Sequence, residues 1–259
     1  MNLPEVQGLI RRRILVNFRV DPDVMQRQLP APFRVKTVGG KALAGICLIR
    51  LEQIRPGFVP LPLGAASENA AHCVAVCWTD PSGEEREGVY ISRRDTSSHL
   101  THWVGGRLFP GEHQHAAFQI CDEGGRIDFA MRSDDGEVTV RLRGQETDEF
   151  PNESLFSSLG EASAFFQTGS VGYSATAQGG HADGVRLSIA SWRVTPLHIE
   201  SVYSSCYADE SRFPAGSIAF DCALLMRDIP HTWLPMPEMA TSLLSRTADC
   251  GPVSPPVSA

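Results

Sequence analysis

Past residue 13 the chain alternates between apolar-rich extended runs and short polar turns, and few segments carry apolar residues at helical spacing. Ile14 to Val20 reads as a strand stopped by Asp21-Pro22-Asp23, with Asp21 set to cap and Pro22 to open a short helix over Pro22 to Leu29 that Pro30-Ala31-Pro32 ends. Ala42 to Leu51, His72 to Thr79 and Val89 to Arg93 read as strands, the last two around an Asp80-Pro81-Ser82-Gly83 turn. In Ile127, Phe129, Met131 and Val138, Val140, Leu142 the apolar residues alternate with polar ones about Ser133-Asp134-Asp135-Gly136, the period of half-buried antiparallel strands. Val171 to Ala177 and Val185 to Val194 flank a glycine-rich turn in the same way. Two helices are expected, Ser97 to Leu108 and Pro151 to Gln167; the stripe of Leu155, Phe156, Leu159, Ala162, Phe165 and Phe166 on the second reads as a helix packed on a sheet. No repeat or linker divides the chain, so the pattern predicts a mainly β, α+β domain over residues 1–250 with a frayed Pro/Ser-rich tail at 251–259.

Composition narrows the partners. With 259 residues, 42% hydrophobic and 20% charged, the chain is that of a folded protein. Its net charge of −7 argues against nucleic acid and anionic membrane surfaces, which want a positive face. No apolar run approaches the ~20 residues of a membrane span, and no secretory segment precedes Arg11-Arg12-Arg13, so a cytoplasmic address is expected. The 7 cysteines are odd in number, scattered and free of any CxxC pair, which predicts reduced thiols and no zinc ribbon. Lys36 and Lys41 are the only lysines, so any imine chemistry must use one of them.

Local motifs carry little chemistry. There is no Walker loop, no GxGxxG after a strand, no HExxH and no GxSxG, and no cofactor is expected. His99, His102, His113 and His115 cluster closely enough for two pairs to converge on a metal, although hydrogen-bonded or surface histidines are the commoner outcome and no metal is assigned. A histidine of that group inside a cavity would move protons near neutral pH. Glu68, just before the strand from His72, differs from the turn carboxylates Asp134, Asp135, Asp148 and Glu149 and is a candidate acid or base.

Taken in order, several segments resemble the acetoacetate decarboxylase-like superfamily, more closely an uncharacterised bacterial branch of it. They are Asn17-Phe18-Arg19-Val20-Asp21-Pro22-Asp23, Leu29-Pro30-Ala31-Pro32-Phe33-Arg34-Val35, Gly88 to Ser92, Asp95 to Ser98, Arg107-Leu108-Phe109 before His115-Ala116, Phe165 to Thr168, and Trp192 to Leu197. The resemblance implies a cone-like antiparallel β-barrel with a few peripheral helices, a small-molecule cavity and a homo-oligomer. In that family a lysine beside a second lysine forms a Schiff base with a β-keto acid. Aligned on this chain the pair falls on Gly106 and Arg107, neither of which forms an imine. The family's substrate-binding arginine falls on Arg11, its acidic residue on Glu68 and a second glutamate near Gly45. The expectation is therefore a lysine-independent lyase, isomerase or cyclase for a small oxo-acid or polyketide-like metabolite. Glu68, His115 and Arg107 are its catalytic candidates, and Arg11, Arg19 and His99 its substrate-binding ones. A non-catalytic binding protein and a metal site on the histidine group remain as alternatives.

Overall fold

A computed structural model describes residues 5–56, 66–104, 111–177 and 179–242. In chain order the elements are β1 (Val6–Val20), α1 (Pro22–Gln26), β2 (Arg34–Val35), β3 (Thr37–Val38), β4 (Lys41–Pro56), β5 (Ser67–Thr79), β6 (Glu85–Thr96) and α2 (His99–Val104). They continue with β7 (Gln114–Glu123), β8 (Arg126–Ser133), β9 (Thr139–Glu146), α3 (Leu159–Thr168), β10 (Val171–Ala175), β11 (His181–Ile189), β12 (Thr195–Ser204) and β13 (Ile218–Ala240). The strands form one sheet along the path β11-β10-β6-β7-β8-β9-β12-β13-β1-β4-β5-β2, with β3 on β4. Further pairings of β5 with β6 and β11 with β13 close it partly on itself. The predicted cone-like β-architecture is present, with one refinement: β10 and β7 each run parallel to β6, so the sheet is mixed.

Five long strands, β13, β1, β4, β5 and β6, form a wall with apolar material on both sides. On β1 Ile14, Val16 and Phe18 enter the large core, which β7, β8, β9 and β12 close from the other side. The intervening Arg13, Leu15 and Asn17 face a cavity, as do Leu43, Gly45 and Cys47 on β4 and Ala71, Cys73 and Ala75 on β5. Strand period two thus turns alternate side chains of β1 to core and cavity, while Ala44, Ile46 and Ala70 of the core also border the cavity.

The short helix starts where predicted but ends at Gln26 and not Leu29, with Pro22 in its first turn and the Asp21 carboxylate accepting from the Asp23 and Val24 amides. The second helix is shorter than predicted. It starts at Leu159 under a Ser158 cap, because Asp221 on β13 accepts from Ser154 Oγ (2.7 Å) and the Leu155 amide (2.9 Å) and holds the preceding residues in turns. Leu155 and Phe156 still pack with Phe165 and Phe166 beneath the sheet. Of the Ser97 to Leu108 helix, His99–Val104 is present and residues 105–108 lie outside the described residues, as does the 251–259 tail.

Candidate functional site

The cavity measures about 440 Å³ and lies between the wall, α3 and the β10–β11 hairpin. Most of its lining is aliphatic or aromatic, and its charged lining residues are Arg13, Lys36, Arg55, Arg94 and Asp95, the last held by Arg93 at 2.9 Å. Arg13 on β1 donates from Nε to Cys47 Sγ at 3.2 Å, and its guanidinium stands 5.9 Å from the Trp192 ring centre. Its Nη1 is buried without a partner. Arg94 on β6 donates from Nε to Ser174 Oγ at 2.9 Å and makes no ion pair among the described residues. Burial brings Arg94 from the ordinary guanidinium value down to about 10, so it stays charged at neutral pH. Asp183 favours the charge of Arg94 from a distance, but two cations with no ion pair among the described residues, in a largely apolar hollow, are costly unless an anion joins them.

Smaller groups sit between them. Cys73 Sγ donates to Gly45 O at 3.6 Å, and burial pushes this thiol up to about 12, with Cys47 adding and Arg13 and Arg94 opposing. Gly45 keeps the floor open: a Cβ there would stand 3.0 Å from Val16 O and 3.3 Å from Asn17 Oδ1. His113 borders the cavity with its Nδ1 proton on Gly111 O at 3.3 Å; burial, then Arg94, lowers it to about 3, so the ring is neutral. Lys36 lines one end, where its ammonium is held by Glu87 Oε2 at 2.5 Å and lies 4.3 Å from the Phe165 ring centre. Arg94 and Cys73 also border a second, more polar cavity of about 480 Å³ that contains His72, Arg93, Tyr207 and Arg212.

The structure distributes the residues singled out from sequence differently from the expectation. Arg11 is exposed and pairs with Glu52 (2.9 Å) and Asp228 (2.5 Å) outside the cavity. The cause is an irregularity: the β1–β4 register skips between Ile10 and Arg12, and the side-chain alternation changes face there, so Ile10 and Arg13 reach the cavity and Arg11 does not. Glu68 lies on the face of β5 opposite Asn69 and Ala71, buried against Arg12 (2.7 Å) and Arg50 (3.1 Å). Arg19 reaches beyond the cavity to Glu153 O (2.7 Å) and Asp221 (3.7 Å). His99 is exposed on α2 and stacks on His115 with ring centres 3.8 Å apart, while His115 Nδ1 contacts Asp134 Oδ2 at 2.7 Å. His102 joins them edge-on and bonds the His113 carbonyl at 2.5 Å. Among the described residues no three His, Cys, Asp or Glu side chains are arranged to hold a metal ion. Arg107 and Gly106 lie outside the described residues.

Arg13, Arg94, Cys47 and Cys73 were not singled out for chemistry. The available signal was the position of Arg13 beside the apolar run Ile14-Leu15-Val16, where a cation needs a reason; Arg94, next to Arg93 and Asp95, carried no such signal.

The model of the DUF2071 family, described as an uncharacterized conserved protein, matches residues 9–217. The chain belongs to the DUF2071 family. No curated protein matches it. Among solved structures, this DUF2071 protein is similar to the acetoacetate decarboxylase of Legionella pneumophila, with a TM-score of 0.56 and 13% identity over 93% of this chain and 89% of that one. An acetoacetate decarboxylase-like enzyme from Sphingomonas wittichii RW1 gives 0.56 and 15% over 93% and 95%. The enduracididine biosynthesis enzyme MppR, complexed with a condensation product of pyruvate and imidazole 4-carboxaldehyde, gives 0.52 and 11% over 93% and 90%. The DUF2071 protein therefore has the acetoacetate decarboxylase-like fold. None of its described helices is long and apolar enough to cross a membrane.

Proposed function

We propose that this DUF2071 protein takes up a small oxo-acid or polyketide-like metabolite by its anionic group and acts on it without an imine. The observation that carries the reading is the pair of uncompensated guanidiniums, Arg13 and Arg94, in one apolar cavity. Charge-assisted contacts to a carboxylate or to a developing enolate oxygen are strong in such surroundings and strengthen as charge builds on that oxygen. Enolisation, dehydration, non-covalent decarboxylation and cyclisation all pass through such a charge. His113, neutral and at the cavity edge, is the group placed to carry the proton. By the resemblance, Gly106 and Arg107 fall where the decarboxylases have lysines, and Lys36 is occupied by Glu87, which supports a lysine-independent reaction. Arg107 would add a third guanidinium to the same role. The reading keeps the expectation of a cytoplasmic homo-oligomer, which light scattering after gel filtration tests.

Solvent exchange of the α-protons of pyruvate and longer 2-oxo acids, followed by proton NMR in heavy water, tests turnover. Exchange with the wild type and its loss in Arg94→Gln is expected. Borohydride treatment in the presence of pyruvate should leave the intact mass unchanged; an adduct on Lys36 or Lys41 would replace the mechanism with imine chemistry. A second reading, binding without turnover, is favoured by the protonated thiols and by an imidazole as weak a base as His113. Saturable binding with no exchange would select it.

A further inference from the structure

We infer that the acid carries an apolar arm of about eight to ten carbons, an inference that rests on the anion-binding reading above and names its substrate class. At about 30 Å³ for each non-hydrogen atom, the share of a water molecule in the liquid, the cavity's 440 Å³ has room for on the order of fifteen such atoms. Acetoacetate would fill about half of it. Water is poorly suited to the rest. Polar groups gather around Arg13, Cys47, Cys73 and Arg94, and Arg55, Ser67 and Asn69 also border the cavity, Asn69 donating to Ser67 Oγ; the remaining walls toward the other end are Val6, Ile10, Leu51, Ile54, Leu187 and Trp233. Their side chains, the Trp233 indole apart, offer water no hydrogen bond, and a water molecule needs two or more partners to be stable inside a protein. The arm is also long: from Arg13 to Ile10 β1 advances about 10 Å and to Val6 about 23 Å. Ile54, Leu187 and Trp233 are only partly buried at this end and pack on Ile10, Leu51 and Met226. A carboxylate held by the two guanidiniums and extended along β1 would bury these surfaces together.

The test is a homologous series. Saturated straight-chain carboxylates from butanoate to dodecanoate, below their micellar concentrations, are titrated against the wild-type protein by calorimetry and by the fluorescence of Trp192 and Trp233, which border the cavity. Burying one methylene converts to about fourfold in Kd, so affinity should rise by that factor per carbon up to about ten carbons and then stop. Methyl decanoate should bind at least about thirtyfold more weakly than decanoate, the loss of a charged hydrogen-bond partner. Leu187→Trp should move the limit to acids shorter by several carbons; the wild-type series decides the matter if that variant does not fold. Equal affinity for butanoate and decanoate would overturn the apolar arm and leave the anion reading standing. Equal affinity for decanoate and its methyl ester would overturn the anion reading and leave the arm.

Discussion

Arg94 should cost the protein stability, and removing its charge should return that stability at the expense of binding. Burial lowers its proton affinity from the ordinary guanidinium value to about 10, and at about 1.4 kcal/mol per tenfold change this is a charging cost of about 3 kcal/mol. The sign follows from a cation whose folded value is depressed: the cost is present in full at every pH below about 10 and fades only as pH rises from there toward the ordinary guanidinium value. Arg94→Met keeps much of the stem, deletes the charge and forfeits the hydrogen bond to Ser174 Oγ, worth about 1 kcal/mol. The net gain is about 2 kcal/mol, or about 5 °C in Tm for a chain of this size. Urea unfolding at pH 7 followed by tryptophan fluorescence measures it. The same experiment with decanoate at a hundred times its Kd should raise the wild type by about 2.7 kcal/mol and leave Arg94→Met unchanged. If the variant were destabilised by 1 kcal/mol or more, or still responded to the acid, Arg94 would not be an uncompensated anion receptor.

Glu68→Gln should leave Arg12, 2% exposed, without its closest carboxylate and cost about 3 kcal/mol, with carboxylate binding unchanged by calorimetry; a tenfold loss of binding at full stability would move Glu68 into the site. Stability should fall steadily below about pH 6.5. His72 and His113 are lowered to about 3 and His231 to about 4, chiefly by burial, so the unfolded chain takes up protons that the folded one refuses. Asp122, held low by Arg227, and Glu52, held low by Arg50, add a second loss below about pH 4, where their ion pairs are protonated away. Urea midpoints that stay flat from pH 7 to pH 5 would contradict the burial of the three histidines. In mass-mapped iodoacetamide labelling, exposed Cys121 should react first among the described cysteines, and Cys47 and Cys73 slowly and more slowly still with decanoate bound; labelling of Cys47 as fast as Cys121 would show that the cavity thiols are not enclosed.

The elements most clearly legible from sequence were those wetted on one face, although β4 and β5, apolar on both sides, were also read as strands from their apolar runs. β8 and β9 alternate cleanly because one side packs on the core and the other meets solvent. β13, the longest strand, was missed: Cys222-Ala223-Leu224-Leu225-Met226 is buried on both faces and shows no period, and Pro230, Pro235 and Pro237 further along it argue against a strand by local rules. The family and its fold were legible from the ordered segments. The site was less so, because a single irregularity at Arg11 exchanges the two faces of β1, and no count of residues along the chain foresees it. Identifying Arg11 as the substrate-binding cation came within two positions of Arg13, which borders the cavity.

The neighbours of β1 bear on how the chain can be made. Its partners are β4, a short distance ahead, and β13, which begins nearly two hundred residues later at Ile218. As synthesis proceeds from the N-terminus, the edge of β1 that belongs to β13 stays unpaired through most of translation, with Ile14 and Val16 beside it. Deleting β13 would therefore strand a sticky template and not a smaller working protein, and nascent chains that stall before Ile218 should be the form that chaperones hold.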